Sequence, residues 1–390
     1  MPREALTGWK IARIFGIPIE ISPSWILIFL LIFWSLGAAV FPAVAPLQNL
    51  PTWPMAAVAT FVFFACLVAH ELSHSLVSRH YGLQVRRIVL FLFGGVSESH
   101  EEMPSATAEF WIALAGPAMS LILAGIFYGI GLATAGYPPA SIVARWMGLI
   151  NLALAAFNLL PGFPLDGGRI FRAILWAWRK NYIEATRWAS WGGETIAVLL
   201  GLWGAFEAIT FGDWFSLIWL GLLAVLLFGA AEASYRQAFV LTALRRVLVK
   251  DLMRRDLHPV HDSQTIPEAV SEVLAHYPEP AVPVTGDEDS LVGILTAESL
   301  EQVPRRLWPR LRVTELMKPL SEGDVVHPTT PAIDALKQMQ VSGVDPLPVV
   351  DEHRLVGVVG EGDLQRYLRW HPAVRHHHEK FGPPSDLSSE

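Results

Sequence analysis

The sequence predicts a two-part fold: an α-helical polytopic membrane domain of about six transmembrane helices with a membrane-associated β-hairpin, then a soluble α/β domain built from two repeats. Three observations carry this expectation. Long apolar runs crowd residues 24–235 of a chain that is 52% hydrophobic and only 17% charged, against roughly 25% charged in an ordinary soluble protein. Lysine and arginine fall in alternate connections between those runs. Residues 250–370, by contrast, repeat themselves at an offset of 64–65 positions.

The opening MPREALTGWKIARIFGIPIEISPSW has no short apolar core with a small-residue cleavage site, so no removable signal peptide is expected. A spanning helix needs about 20 apolar residues. Six stretches meet or approach that length: roughly 25–45, 55–79, 106–134, 142–177, 192–211 and 213–235. Cytoplasmic connections carry the excess of basic residues, which orients the spans. Arg3, Lys10 and Arg13 precede the first; Arg79, Arg86 and Arg87 follow the second; Arg172, Arg179 and Lys180 follow the fourth; Arg236, Arg245 and Arg246 follow the sixth. The opposite connections, about 46–54, 135–141 and 212, have none. An integral, multi-pass protein of the plasma membrane with both termini in the cytoplasm is expected. A helical bundle buried in a very large soluble protein would show similar runs without this alternation.

Within the second span, CLVAHELSHSLVSRH (66–80) sets two histidines and a glutamate in an otherwise apolar helix. His70 and His74 are four apart, so a helix projects both from one face. Two imidazoles so placed can hold one Zn²⁺, with Glu71 in reach of an activated water. An ionisable group inside a span is costly and is a functional candidate by default. The competing reading places these groups just beyond the membrane edge, which Arg79 shows to be near, where they solvate the helix end. LQVRRIVLFLFGGVSESHEE (83–102) follows. Its apolar middle is too short to cross, and Gly94-Gly95 marks the expected turn of a hairpin. An extended pair at membrane depth requires protein cover for its backbone groups.

The fourth span is interrupted by FNLLPGFPLDGGRIFRA (157–173). Pro161 and Pro164 stop helical hydrogen bonding, and Gly162, Gly167 and Gly168 permit unusual backbone angles. A broken helix at this depth is tolerated where it lines a cavity, and the break holds Asn158 and Asp166. A buried carboxylate without a partner is expensive; a cation would neutralise it, and a catalytic zinc needs a third protein ligand. Alternatively, Asp166 caps the helix that starts at Gly167.

HExxH at 70–74 paired with Asn158-x-x-Pro161-x-x-x-Leu165-Asp166-Gly167-Gly168 resembles the site-2 protease family of intramembrane zinc metalloproteases, over roughly residues 55–180. FGG at 93–95 and AGP at 115–117 fit that family's membrane hairpin and third span. The resemblance implies one Zn²⁺ per chain on His70, His74 and Asp166, with Glu71 as catalytic acid/base. Asn158 is implied to hold the substrate backbone or the developing oxyanion. It further implies hydrolysis of peptide bonds within spanning segments of other membrane proteins, with those proteins and the lipid bilayer as partners. In that scheme Glu71 takes the proton of a zinc-activated water and returns it to the leaving amine. The 83–102 hairpin would receive the locally unwound substrate as an added strand.

In the soluble half, VKDLM (249–253) answers VTELM (313–317), and AVPVTGDEDSLVGILTAESL (281–300) answers PLPVVDEHRLVGVVGEGDL (346–364). Helices at 266–276 and 331–341 precede apolar strands at 291–295 and 355–359, giving two α/β units that pack on each other. These repeats resemble a tandem of cystathionine-β-synthase (CBS) domains over 249–370. That resemblance implies a regulatory module that binds an adenine nucleotide and pairs two chains as a homodimer. The nucleotide contacts it implies fall on Thr296 and Asp363. Each half of the motif is incomplete: Ser299 stands where the family often has Asp, and Gly360 where it has Thr or Ser.

From residue 250 onward the chain carries 14 basic against 23 acidic residues. This excludes nucleic acid as a partner, since that needs clustered Lys and Arg. It leaves Arg312, Lys318 and Arg366 as the candidate cations for a polyphosphate. RHHHEKFGPPSDLSSE (375–390) reads as a polar tail with incidental histidines. A single cysteine, Cys66, excludes an internal disulfide and a Cys-rich zinc site. The expected domains are a protease domain at 1–248, a CBS pair at 249–370 (249–312 and 313–370) and a tail at 371–390. A reading from another class is a CBS-regulated channel or transporter with a buried His/Asp ion site, since transporters also use broken helices near the midplane. It predicts repeats within the membrane half, which the sequence lacks, and it has no use for Glu71. A non-proteolytic relative kept as a binding module would be expected to have lost Glu71 or a ligand, and none is lost.

Overall fold

The computed structural model describes residues 8–44, 50–91, 94–98, 103–245, 247–276, 281–286, 290–352 and 354–370. The tail histidines His376–His378 and Phe93 lie outside the described residues. Contacts divide the chain into two compact units, Met1–Arg236 and Gln237–Glu390.

The first unit contains α1 (Pro23–Val44), α2 (Thr52–His80), α3 (Ala106–Ala133), α4 (Pro138–Asn158), the shorter α5 (Asp166–Arg179), α6 (Tyr182–Phe211) and most of α7 (Trp214–Arg245), whose last residues belong to the second unit. All but α5 are long and apolar enough to cross a membrane. Their outer faces expose large apolar side chains such as Leu27, Phe61, Leu202, Ile209, Phe215 and Val225, a surface that only lipid or a partner covers at this extent. The single span expected at 142–177 resolves into α4 and α5. Pro161 and Pro164 cannot donate to a helical ladder, and short turns (Gly162 N–H to Leu160 O, 2.8 Å; Leu165 N–H to Gly162 O, 3.1 Å) carry the chain between them. The break is seated on α6. A Cβ at Gly162 would lie 2.3 Å from Gly193 N, and one at Gly193 would lie 1.9 Å from Phe163 O. Only glycine admits this approach of backbone to backbone, and Phe163 N–H donates to Ala189 O across it at 3.0 Å.

Four strands form one sheet in the order β1 (Trp9–Ile14), β2 (Ile17–Ile21), β3 (Arg87–Phe91), β4 (Gly94–Glu98). The expected hairpin is β3–β4, but Gly94 and Gly95 are not its turn. They belong to β4, opposite Phe91 and Leu90, because the paired register extends through both glycines. The N-terminal stretch, which the sequence presents only as a preamble to the first span, forms a second hairpin, and β2 joins β3 in parallel (Ile19 with Ile88). Ile17 and Ile88 bury against Leu72 of α2, so the sheet packs on the helix two residues past His70.

The second unit contains β5 (Val260–His261), α8 (Ile266–His276), β6 (Ala281–Thr285), β7 (Leu291–Thr296), α9 (Ala297–Glu301), β8 (Lys318–Pro319), α10 (Ala332–Ser342), β9 (Leu347–Asp351), β10 (Arg354–Val359) and α11 (Glu361–Trp370). The helices and strands expected for two repeats are present, and the repeats interlock. β8 opens the second repeat yet pairs with β7 of the first, while Arg254 near the start of the first repeat bridges to Val358 of β10. Equivalent methionines sit against equivalent glycines: Met317 Sδ lies 2.7 Å from a Cβ built on Gly293, and Met253 Sδ 2.8 Å from one on Gly357. Each repeat thus completes the other's sheet, which is why two are needed to close a core.

Candidate metal centre

α2 carries His70 ten residues, about 15 Å along the axis, before its end at His80. The Nε2 atoms of His70 and His74 are 3.2 Å apart. Asp166 Oδ2 lies 3.2 Å from the first and 3.3 Å from the second. Both imidazoles are buried, and the carboxylate nearly so. α5 begins at Asp166 itself, with Leu165 in the capping position, so the carboxylate turns to the imidazoles and does not cap the helix.

The outer ring nitrogens are held by α3. His74 Nδ1 lies 2.6 Å from the Ile112 carbonyl. That oxygen can only accept, so the proton resides on Nδ1 and Nε2 presents a lone pair. His70 Nδ1 bonds the fully buried Ser120 Oγ at 2.9 Å. Between Ile112 and Ser120 comes Gly116, four residues from each and therefore on the same helix face. A Cβ built on Gly116 would lie 2.2 Å from His74 Nε2 and 2.4 Å from His70 Nε2.

This donor set fits zinc. A tetrahedral ion with ligands at 2.0–2.1 Å separates its donors by about 3.3 Å, the spacing of these three atoms. Asp166 Oδ2 and His74 Nε2 are both acceptors, and with His70 Nε2 they converge at a spacing that a cation among them satisfies. The missing side chain of Gly116 leaves the cradle for it. Among the described residues, His70, His74 and Asp166 are the one His/Cys/Asp/Glu group with donor atoms so gathered.

Comparison with known proteins identifies the family of the chain. The description of Peptidase family M50 matches residues 58–144 and 140–200, and that of the CBS domain matches 249–303 and 313–369. The Synechocystis protein sll0528 is 33% identical over 318 residues, covering 79% of this chain and 81% of its own length. Rip3 of Mycobacterium tuberculosis is 30% identical over 362 residues, covering 92% of each. Zinc metalloprotease stands in the names of both. The chain belongs to peptidase family M50, the site-2 proteases. The solved site-2 protease of Methanocaldococcus jannaschii is 30% identical, with 59% of this chain and 95% of that one covered at a TM-score of 0.41. The protein is therefore an integral membrane zinc metalloprotease with a tandem CBS pair, and the family brings with it zinc, lipid and membrane-protein substrates. Membership decides for a hydrolase over the ion-conducting alternative.

Around the protease centre, Glu71 is half-buried; its backbone carbonyl accepts from Ser75 Oγ, while its carboxylate, among the described residues, makes no hydrogen bond within the protein. Its electrostatic neighbours are His70, Asp166 and Arg169, the last one turn along α5. Asn158 ends α4, half-buried, and among the described residues its side-chain amide is likewise without an internal hydrogen bond. Sequence reasoning missed Ile112, Ser120 and the spatial role of Gly116. The signal was the spacing of four along α3, which means nothing until that face is known to meet α2. It also counted Arg172 among the exposed charges that orient the spans. The structure corrects this: Arg172 is buried and ion-paired with Glu109 of α3, because α5 packs its polar side inward.

The two residues expected at a nucleotide site lie at different places in the two repeats, Thr296 matching Gly360 and Asp363 matching Ser299, and both are engaged. Thr296 Oγ1 accepts from Ser299 N–H at 3.1 Å and lies 2.8 Å from Ser299 Oγ, capping α9. Asp363 Oδ2 accepts from Gly360 N–H and from Arg254 Nε, each at 3.0 Å, and Arg366 stands 3.5 Å from Oδ1. A Cβ on Gly360 would come within 2.8 Å of Asp345 Oδ1, so the hydroxyl expected there has its place taken by Asp345. Lys318 is held by Asp324 at 2.7 Å.

Proposed function

We propose that this protease hydrolyses peptide bonds within the spanning segments of other membrane proteins, using one zinc ion held by His70 Nε2, His74 Nε2 and Asp166 Oδ2. The observation that supports it is the triangle of acceptor atoms at 3.2–3.3 Å around the space kept by Gly116. Bound there, zinc supplies Lewis acidity to a water and to the scissile carbonyl. The chain's own residues do the rest. Ile112 and Ser120 hold the imidazoles with Nε2 inward. Glu71, next to His70 and with a carboxylate that makes no internal hydrogen bond among the described residues, takes the proton of the attacking water and returns it to the leaving amine. Asn158 donates its amide to the substrate backbone or to the oxyanion. β4, at the edge of its sheet, offers unpaired backbone to an extended substrate segment.

The protein lies in the plasma membrane with both termini in the cytoplasm, a reading supported by the exposed Lys10, Arg13, Arg79 and Arg179. Its protease domain runs through residue 248; the CBS pair occupies 249–370, in halves 249–312 and 313–370, with a polar tail at 371–390. The pair modulates cleavage, joins two copies of the chain, and takes an adenine nucleotide near Thr296 and Asp363, the latter by exchanging its bond to Arg254 for a ribose hydroxyl. The decisive experiment on the chemistry is Glu71→Gln. The variant should retain one zinc per chain and cleave a membrane-spanning peptide at least about 100-fold more slowly. Cleavage at the parent rate would remove Glu71 from the acid/base role.

A further inference from the structure

Glu109 and Arg172 meet inside the membrane unit in an ion pair that no step of peptide hydrolysis uses. Glu109 is 0% exposed and Arg172 9%. Arg172 Nε donates to Glu109 Oε1 at 2.9 Å, and Nη2 makes a short bond to the same oxygen. Nη1 reaches Thr186 Oγ1 at 3.4 Å, whose own hydroxyl donates to Tyr182 O. The guanidinium carbon lies 4.7 Å from the centroid of the Phe163 ring and 4.8 Å from that of Tyr182, within the range of cation–π attraction. Four elements therefore converge on one side chain: the first turn of α3, the break between α4 and α5, α5 itself and the first turn of α6.

Stability is a poor account of this pair. Desolvating two charges offsets most of their attraction, and apolar residues of the same volume commonly serve a core as well or better. The place of the pair in the chain is a better account. Phe163 comes three residues before Asp166 and Arg172 six after it, so the guanidinium grips both flanks of that carboxylate. Glu109, Ile112, Gly116 and Ser120 follow one another at spacings of three and four, which puts them on one face of α3. Ile112 and Ser120 hold the two imidazoles. The same helix face thus holds the histidines directly and, through Arg172, the segment that bears the aspartate.

We infer that the Glu109–Arg172 pair is a positioning device of the metal centre: it fixes α5 against α3 so that Asp166 Oδ2 stays 3.2–3.3 Å from both Nε2 atoms. Neither residue touches substrate or metal; both act through Asp166. The inference rests on the reading of Asp166 as a zinc ligand.

The test uses the full-length protein with Glu109→Gln, which removes the charge, and Glu109→Asp, which keeps it but draws Arg172 one methylene closer to α3. Zinc affinity is measured by competition with a chelator, and ligand geometry by the visible absorption of the Co²⁺-substituted protein. Both folded variants should lose about 10- to 100-fold in zinc affinity, the usual cost of an outer partner, with a cobalt spectrum displaced from that of the parent. A folded variant with a lowered unfolding temperature but parent-like affinity and spectrum would overturn the proposal, for that is how a merely structural pair behaves. Should Glu109→Gln fail to fold, Glu109→Asp decides by the same two readouts. Asp166→Ala separates the two layers. Parent-like zinc affinity there removes the ligand reading itself, whereas zinc loss there with intact Glu109 variants removes only the positioning device.

Discussion

At the metal centre, three acceptor atoms face one another around a space that the protein leaves open. At the ends of α9 and α11, the side chains of the expected nucleotide motif already have partners: Thr296 has Ser299, and Asp363 has Gly360 and Arg254. Both regions announce themselves in the sequence by short motifs, yet only one turns its polar atoms toward a common point. The difference is one of donors. α3 satisfies the outer nitrogen of each histidine and so aims the inner one at its neighbours, whereas the backbone at the start of α9 and α11 uses the motif residues as caps. Convergent acceptors call for a cation; satisfied caps bind a ligand only by exchange, which weakens affinity by whatever the internal bonds contribute.

Gly116→Ala breaks the first half of this contrast most severely. Its methyl would stand 2.2 and 2.4 Å from the two Nε2 atoms, so the variant should fold with parent-like far-UV circular dichroism yet hold no zinc by metal analysis and cleave nothing. One zinc per chain in that variant would mean that the cradle lies elsewhere. The second half is sharpened by calorimetry with AMP or ATP on the full-length protein. Binding heat is expected for the parent and a loss of at least about tenfold in affinity for Asp363→Ala, one charge-assisted hydrogen bond being worth about 1.5–3 kcal/mol; zinc content should not change. A parent without binding heat would leave the pair as a scaffold alone.

The smallest effect concerns caps that only stabilise. Burial opposes the charge of Asp324, but bonds from Lys318 and from Ser321 outweigh it and hold its pKa below the ordinary carboxylate value. A carboxylate with a depressed folded-state pKa contributes stability above its unfolded value, about 3.9, and loses that contribution as pH falls through the folded value. Asp324→Asn should therefore lower the thermal midpoint of the second unit at pH 7, and the gap to the parent should close progressively below about pH 4. A gap independent of pH would mean that shape, not charge, makes the cap.

Much of the fold and part of the site were legible before any coordinates. Apolar runs near the bilayer length located six spans, because a helix crossing lipid must be long and apolar whatever surrounds it. The repeat offset located two α/β units. Pro161, Pro164 and the glycines marked the break. The sequence nonetheless presents the fourth span as one segment, since composition does not say that the chain restarts at Asp166 in a separate helix. The N-terminal strands escaped notice because β1 and β2 are stabilised by β3, which lies more than sixty residues further along the chain. Arg172 passed for an exposed charge because its partner is 63 positions away.

The sequence by itself determined the contents of each segment: two histidines one turn apart on an apolar helix, a glutamate beside the first, a carboxylate in a break, and a pair of repeats downstream. These are local facts, set by the 3.6-residue period and by what proline and glycine permit. Only the tertiary structure decided that Asp166 meets His70 across 96 positions, that Ile112 and Ser120 turn both imidazoles inward, and that Gly116 leaves space between them. It also decided that Asp363 is bound to Arg254 rather than open to solvent. Such relations depend on which faces pack together, and packing is a property of pairs of elements that no single stretch of sequence contains.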